Sequence, residues 1–179
     1  MPNNLAVALQ NSERLFDRVE IDRAIARIAV DIRNDYAGAK PVYLTIMHGG
    51  MLFASQLSLE LGIDLEFDYL HATRYRGATT GSGLAWLHRP ATPLEGRRVL
   101  LADDILDEGH TLKAVRDWCE DQGAADVRIA VLTVKNHDRR VEGIEANYVA
   151  LEVPDRYVYG FGMDYHEQGR NLPGLYALK

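Results

Sequence analysis

Val99-Leu-Leu-Ala-Asp-Asp-Ile-Leu-Asp-Glu-Gly-His-Thr-Leu112 is the stretch on which the reading of this chain turns. Residues 99–102 are a short apolar run of the kind that forms a buried strand, and they lead into adjacent carboxylates, Asp103 and Asp104. A turn with Asp107, Gly109 and Thr111 follows, and a helical pattern begins near Leu112. A strand that ends in acids and feeds a helix start offers two functions side by side. The free N–H groups of the turn and first helical residues form a cradle for an anion such as phosphate. The acids beside it suit sugar hydroxyls and, indirectly, a bound Mg²⁺. A ribose phosphate is the ligand that uses both.

The rest of the chain sets the frame. Its 179 residues are expected to form a single domain, 1–179, large enough to bury a real core. Hydrophobic content of 47% and charged content of 26% are those of a water-soluble globular protein. No apolar run is long enough for a transmembrane helix, and Met1-Pro-Asn-Asn lacks the basic region and apolar core of a signal peptide. A cytoplasmic location is therefore expected. The single cysteine, Cys119, cannot form an internal disulfide, and beside Trp118 in a helical stretch it is expected simply to pack. A net charge of −6 gives no global positive field for nucleic acid, so no nucleic-acid or membrane partner is expected.

Apolar strands alternate with amphipathic helices along the chain. Residues 4–16 read as a short helix and 22–36 as a longer one, with Ile21, Ile25, Ile28, Ala29 and Ile32 at helical spacing. Residues 41–46 read as a buried strand ending at His48-Gly49-Gly50, and 52–61 as a helix closed by Gly62. Strands are expected at 65–72 and 83–88, separated by a Gly- and Thr-rich spacer, 74–82, that reads as an exposed mobile loop. Residues 99–102 are a strand and 112–122 a helix stopped by Gly123; 127–134, 148–153 and 157–161 are further strands. This alternation implies an α/β fold, an open, mainly parallel twisted sheet with helices on both faces.

In such sheets the site lies beyond the C-terminal ends of the strands. His48-Gly49-Gly50, Asp103-Asp104, Lys135 and Asp164 all fall at or soon after strand ends. Each has an ordinary explanation alone: a glycine turn, a capping acid, a solvated lysine. Their convergence on one edge from four segments points to a site.

Two stretches carry a family resemblance. Residues 100–111 resemble the phosphoribosyl pyrophosphate (PRPP) signature of type I phosphoribosyltransferases. Lys135, Glu152-Val-Pro-Asp-Arg-Tyr-Val-Tyr-Gly-Phe-Gly-Met-Asp-Tyr165 and Arg170-Asn-Leu-Pro173 resemble the C-terminal half of the hypoxanthine-guanine phosphoribosyltransferases. The match spans roughly residues 42–178. It implies a phosphoribosyltransferase core with a small hood from the N- and C-terminal segments, and a homodimer or homotetramer. It also implies a purine-salvage enzyme that makes IMP or GMP and pyrophosphate from hypoxanthine or guanine and PRPP with Mg²⁺.

The resemblance assigns roles residue by residue. Asp103 and Asp104 would face the ribose hydroxyls and the metal, with Asp164 a further metal-side carboxylate. Asp107, Glu108, Gly109, His110 and Thr111 would cradle the 5′-phosphate, and Asp107 would be the general base near purine N7. His48, Gly49, Gly50 and Arg170 would hold the pyrophosphate, with a cis peptide at Met47–His48. Lys135 would meet purine O6, Tyr157 would stack on the ring, the Val158 backbone would read the base edge, and Met163 would line the pocket.

Three positions depart from the family pattern. Glu108 replaces a threonine or serine and is expected to point away from phosphate. His48 replaces a lysine and is a cation only when protonated. Arg74-Tyr75 stands where the flexible loop has Ser-Tyr, so Arg74 or Arg76 is a candidate for the missing pyrophosphate contact. Two other classes use similar residues. A PRPP-sensing regulator would keep the fold without efficient catalysis, but the acidic balance and complete base-pocket set argue against it. A phosphorylation receiver places its acid pair after its first strand, whereas here about a hundred residues precede the pair.

Overall fold

In chain order the elements are α1 (Leu5–Gln10), β1 (Ser12–Phe16), α2 (Arg18–Asp35), β2 (Val42–Ile46), α3 (Met51–Leu61), β3 (Glu66–Arg74) and β4 (Leu84–His88). β5 (Arg98–Leu106), α4 (His110–Asp121), β6 (Asp126–Asn136), β7 (Tyr148–Pro154), β8 (Val158–Tyr159) and β9 (Leu175–Leu178) follow. The computed structural model describes residues 4–74 and 84–179. Most of the expected loop at 74–82, including Tyr75 and Arg76, lies outside the described residues.

Six strands form one sheet in the order β4-β3-β2-β5-β6-β7. The five from β3 to β7 in that order run parallel, and β4 adds an antiparallel edge. The period-two alternation along each central strand divides the core between the two faces of the sheet. Leu100 and Ala102 of β5 pack with Ile25, Ile28 and Ile32 of α2 and Phe53 and Leu57 of α3. Val99 and Leu101 pack on the other face with Leu112, Val115 and Cys119 of α4. β2 and β6 split the same way, Tyr43 and Leu132 to the first face, Leu44 and Val131 to the second. Burial holds the Cys119 thiol in its protonated form by raising its pKa to about 12, in keeping with a packing role.

The chain termini form a second sheet, antiparallel, in the order β1-β9-β8. Residues 12–16 therefore form a strand and not the second half of the expected helix; they pair with Leu175–Leu178, the far end of the chain. β9 itself has no counterpart in the sequence reading, and the expected strand at 157–161 shortens to Val158–Tyr159. A further difference lies in β5, which continues past Ala102 through Asp103 and Asp104 to Leu106. Its polar residues stay extended because β6 continues the ladder beside them, pairing Asp103 with Val131 and Leu106 with Val134.

α2 also begins earlier than its apolar spacing suggests. Asp17 caps it, accepting from Glu20 N–H at 2.9 Å, while the Glu20 carboxylate accepts from Asp17 N–H at 2.8 Å. This reciprocal pair satisfies two otherwise orphaned donors. Among the described residues no helix is long and apolar enough to cross a membrane.

Asp17→Ala removes the cap on the helix that covers one face of the sheet. It should lower unfolding stability by about 1 kcal/mol. Urea denaturation should show a lower midpoint at an unchanged slope; an unchanged midpoint would mean the cap contributes nothing.

Candidate active site

The C-terminal ends of β2, β3 and β5 open onto a cleft of about 570 Å³. Its walls hold His48 and Gly49 after β2, His71 in β3, Asp103 and Asp104 in β5, the turn from Asp107 to Thr111, and Arg170. One edge thus gathers residues separated by more than a hundred positions, as the parallel register requires. Met47–His48 is a cis peptide, as the resemblance implies.

Asp103 and Asp104 are only 8% and 9% exposed. Asp103 Oδ1 accepts from the Asp104 backbone N–H at 2.9 Å. Burial, reinforced for Asp103 by the neighbouring Asp104 charge, pushes both carboxyls above the ordinary carboxylate range. The pair is therefore an acidic pocket short of compensating positive charge. The backbone comes very close here. A Cβ on Gly49 would lie 1.9 Å from Asp104 Oδ2, and one on Gly162 would lie 2.1 Å from the Gly49 carbonyl oxygen. Only glycine allows both approaches, and Gly162 also has φ +106°.

Two helices start at the cleft without side-chain caps. α3 begins after Gly50 and α4 after Gly109, whose φ is +86°. Neither helix has an acid in its first turn; α4 opens onto the cleft through Gly109, His110 and Thr111, whereas the first N–H of α3, on Met51, is already engaged by the His48 carbonyl at 3.2 Å. Gly50 serves a different purpose from the expected one. Its N–H donates to the Ile46 carbonyl at 3.0 Å, and a Cβ there would meet the Ala102 and Ile46 carbonyls at 2.7 Å. Of the two glycines, Gly49 is the one that lines the cleft. Glu108, expected to point away, is part of the cleft lining, with its carboxylate 3.6 Å from His110 Nε2.

Asp107 follows directly on β5, one step beyond the Leu106–Val134 register pair, which brings it level with Lys135 of β6. Lys135 Nζ donates to Asp107 Oδ2 at 2.6 Å, and His137 Nε2 meets Oδ1 at 2.7 Å. Burial works against ionisation of Asp107, but these hydrogen bonds and charges outweigh it and hold the carboxyl below its ordinary range.

Arg170 ties the C-terminal segment to the cleft. Its guanidinium donates to the Gly162 carbonyl at 2.8 Å and pairs with Asp164 at 2.8 Å. Asp164 also accepts from Glu167 N–H at 2.9 Å, so both oxygens of its carboxylate are engaged within the C-terminal segment. Tyr157 is 45% exposed, and its hydroxyl donates to the Asp164 carbonyl at 3.2 Å. Val158 and Met163 are buried in the core beneath α2 and α3. Lys135, Tyr157, Val158, Met163 and Asp164 thus stand around the cleft and not in its wall. Lys135 touches the wall through Asp107, and Asp164 through Arg170.

Two residues of this neighbourhood escaped the sequence reading. His71 lines the cleft with its ring centroid 4.3 Å from that of His48, and burial, with the charges of His48 and Arg170, lowers its pKa. A histidine near the end of an apolar strand was its signal. His137 lies in an irregular turn after β6 and carries none. Among the described residues no group of three or more acids, histidines or cysteines converges as a metal cage.

A phosphoribosyl transferase domain model matches residues 11–166. The chain is 37% identical over 161 residues to the hypoxanthine-guanine phosphoribosyltransferase of Streptococcus pneumoniae, covering 89% of each protein. It is 36% identical over 166 residues to the Streptococcus mutans enzyme of the same name, covering 92% of each. The crystal structure of a hypoxanthine phosphoribosyltransferase from Staphylococcus aureus superposes with a TM-score of 0.89 at 29% identity, over 100% of this chain and 97% of that one. The chain belongs to the phosphoribosyltransferase family, in its hypoxanthine-guanine branch.

The buried acid pair makes a pH-dependent prediction. Because the folded-state pKa values lie above the unfolded ones, the folded state binds more protons, and stability falls as pH rises from about 4 through the folded values. Asp103→Asn keeps an oxygen to accept from Asp104 N–H and removes one charge. It should be more stable than the parent at pH 8, with the gap closing toward pH 4. Thermal unfolding across this range checks it; a variant less stable at pH 8 would contradict the direction of the shift.

Proposed function

We propose that this chain transfers the phosphoribosyl group of PRPP to hypoxanthine or guanine, releasing pyrophosphate and forming IMP or GMP. The observation that carries the reading is the conjunction, on one cleft, of a buried acid pair, the uncapped start of α4 and an ionised Asp107.

In this reading the first N–H groups of α4 and the Thr111 hydroxyl hold the 5′-phosphate, with Gly109 giving the backbone its turn. Asp103 and Asp104 accept hydrogen bonds from the ribose 2′- and 3′-hydroxyls. Gly49 N–H, His48 and the Arg170 guanidinium face the pyrophosphate. Purine N9 attacks the anomeric carbon as its bond to pyrophosphate breaks, the bonding pair leaving on the pyrophosphate oxygen. The proton on N7 passes to Asp107, so the ring ends neutral. Lys135, with three N–H donors, reaches purine O6 while keeping a bond to Asp107. Tyr157 offers its exposed face for stacking, Val158 its backbone, and Met163 apolar support, while Asp164 fixes Arg170.

Mg²⁺ fits this donor set. Two buried carboxyls that favour protonation are short of positive charge, and with no cage among the described residues the ion would arrive with the pyrophosphate, retaining waters. Asp103 and Asp104 would hold it, and it would offset leaving-group charge. Asp164, bound to Arg170, is placed to support this side indirectly. Self-association as a homodimer or homotetramer belongs to the same proposal and is checked by light scattering.

Two measurements test the reading. Initial rates with each purine at saturating PRPP and Mg²⁺ should show hypoxanthine and guanine far ahead of adenine, by up to about 10⁴-fold, because a 6-amino group leaves the Lys135 donor unpaired. Comparable adenine turnover would sink the assignment of the base. Asp107→Asn, which retains shape but not basicity, should lower kcat by roughly 10² to 10⁴ with PRPP binding intact. Asp103→Ala or Asp104→Ala should instead weaken PRPP binding. Normal turnover by Asp107→Asn would remove Asp107 from the chemistry.

A further inference from the structure

We infer that His137 is a positioning residue for Asp107, holding one carboxylate oxygen in place so that the other keeps a lone pair aimed at the purine proton. The inference rests on the reading of Asp107 given above and adds a residue to it.

The ring is oriented from both sides. His137 Nδ1 accepts a hydrogen bond from the Arg139 backbone N–H at 3.0 Å. Nδ1 must then be the unprotonated nitrogen, which places the ring proton on Nε2. Nε2–H is therefore the donor to Asp107 Oδ1 across 2.7 Å. The side chain is only 2% exposed, so water offers little substitute for that donor.

The turn that carries His137 is fastened to its surroundings at two further points. Arg139 makes a two-pronged pair with Asp155, at 2.7 and 2.8 Å, just beyond β7. Val141 N–H donates to the Glu108 carbonyl at 2.9 Å, tying the same segment to the residue after Asp107. A Cβ on Gly109 would lie 2.6 Å from Ile144 and 3.6 Å from Val141, so this segment backs directly onto the turn. The charged and titratable groups around Asp107 are thus Lys135 and His137 from β6 and its following turn, Arg139 and Asp155 beyond them, and Glu108 beside it.

The two donors to Asp107 differ in what they can do during a turnover. Lys135 has a flexible stem and three N–H groups, so its ammonium can turn toward an incoming 6-oxo group. His137 has one N–H, a buried ring and a backbone partner on its far side. When Lys135 shares itself with the purine, His137 keeps the carboxylate from rotating and leaves Oδ2 facing N7. A misplaced base is costly because proton transfer depends on the bound geometry being close to the reacting one.

His137→Phe removes the donor at similar volume. It should lower kcat by about 10- to 100-fold while KM for PRPP stays within about twofold. The lost N–H favoured the ionised carboxylate, so the acid limb of the kcat–pH profile, and the ¹³C-detected titration of the Asp107 carboxyl, should move to higher pH. His137→Gln, which accepts from Arg139 N–H and donates to Asp107, should return kcat to within about threefold and reverse the titration shift. Unchanged kcat and titration in His137→Phe, or a glutamine variant as impaired as the phenylalanine one, would overturn the inference. In the unaltered protein, ¹⁵N spectra should show the proton on Nε2; a proton on Nδ1 would overturn it regardless of how any variant folds. An unaltered protein with no transfer to purines, but with the Asp107 titration moving in His137→Phe and returning in His137→Gln, would retain the positioning role and reject the assigned reaction.

Discussion

Two carboxylates side by side in the middle of a sheet are an unfavourable arrangement, and much of this molecule is organised around making them tolerable. Asp103 and Asp104 sit where β5 is still paired with β6, and their backbone is held whatever their charge. Burial raises their affinity for protons. The nearby glycines keep the space in front of Asp104 narrow, with Gly49 against the carboxylate and Gly162 against Gly49. A larger residue at either place would displace the strand ends themselves. The cost of holding the acids there is borne by the packed faces on either side, where β5 contributes Leu100 and Ala102 to one core and Val99 and Leu101 to the other.

Positive character is supplied around the acids without any lysine or arginine fully buried beside them among the described residues. α4 opens an uncapped N-terminus onto the cleft, in contrast to α2, whose first turn is closed by Asp17 and Glu20. Helix termini provide positive potential through oriented N–H groups whose desolvation is already met by the fold. Arg170, which among the described residues lines the cleft, is itself held by Asp164 and the Gly162 carbonyl. Positive ends that attract phosphate groups therefore alternate with acids that attract hydroxyls or a cation, as a phosphorylated sugar carrying a second anionic group requires.

The parts of this arrangement that rest on local chemistry were legible in the sequence. Apolar runs separated by helical periodicity predicted the parallel core, and the shared strand-end edge predicted the cleft. Residues that owe their place to distant partners were less visible. Ser12–Phe16 becomes a strand because Leu175–Leu178 returns to pair with it, and neither segment announces that pairing. The helical start at Arg18 was written in the Asp17–Glu20 capping pair, but the isoleucine spacing drew the boundary later. β5 outruns its apolar stretch because the ladder with β6 continues past it. His137 was invisible for a related reason, since its role depends on a backbone N–H two residues on and a carboxylate thirty residues earlier. The family resemblance assigned the residues of the signature, but a turn outside the signature carries no such mark.

Environment, and not residue type, separates the three aspartates at the end of β5 and in the turn to α4. Asp103 and Asp104 lie where burial dominates, so their carboxyls favour a proton or a cation in its place. Asp107 lies three residues further, past the end of the strand, where Lys135 and His137 each donate to one of its oxygens and keep it ionised. Environments that drive like groups to opposite protonation states are the usual basis for assigning them different tasks. The strand supplies the separation: one register step beyond Leu106 the chain leaves the sheet, and Asp107 comes level with the donors of β6. A single segment thereby carries both the acids that suit a cation and a sugar and the base that suits a proton, and the change between them is made by the point at which the ladder stops.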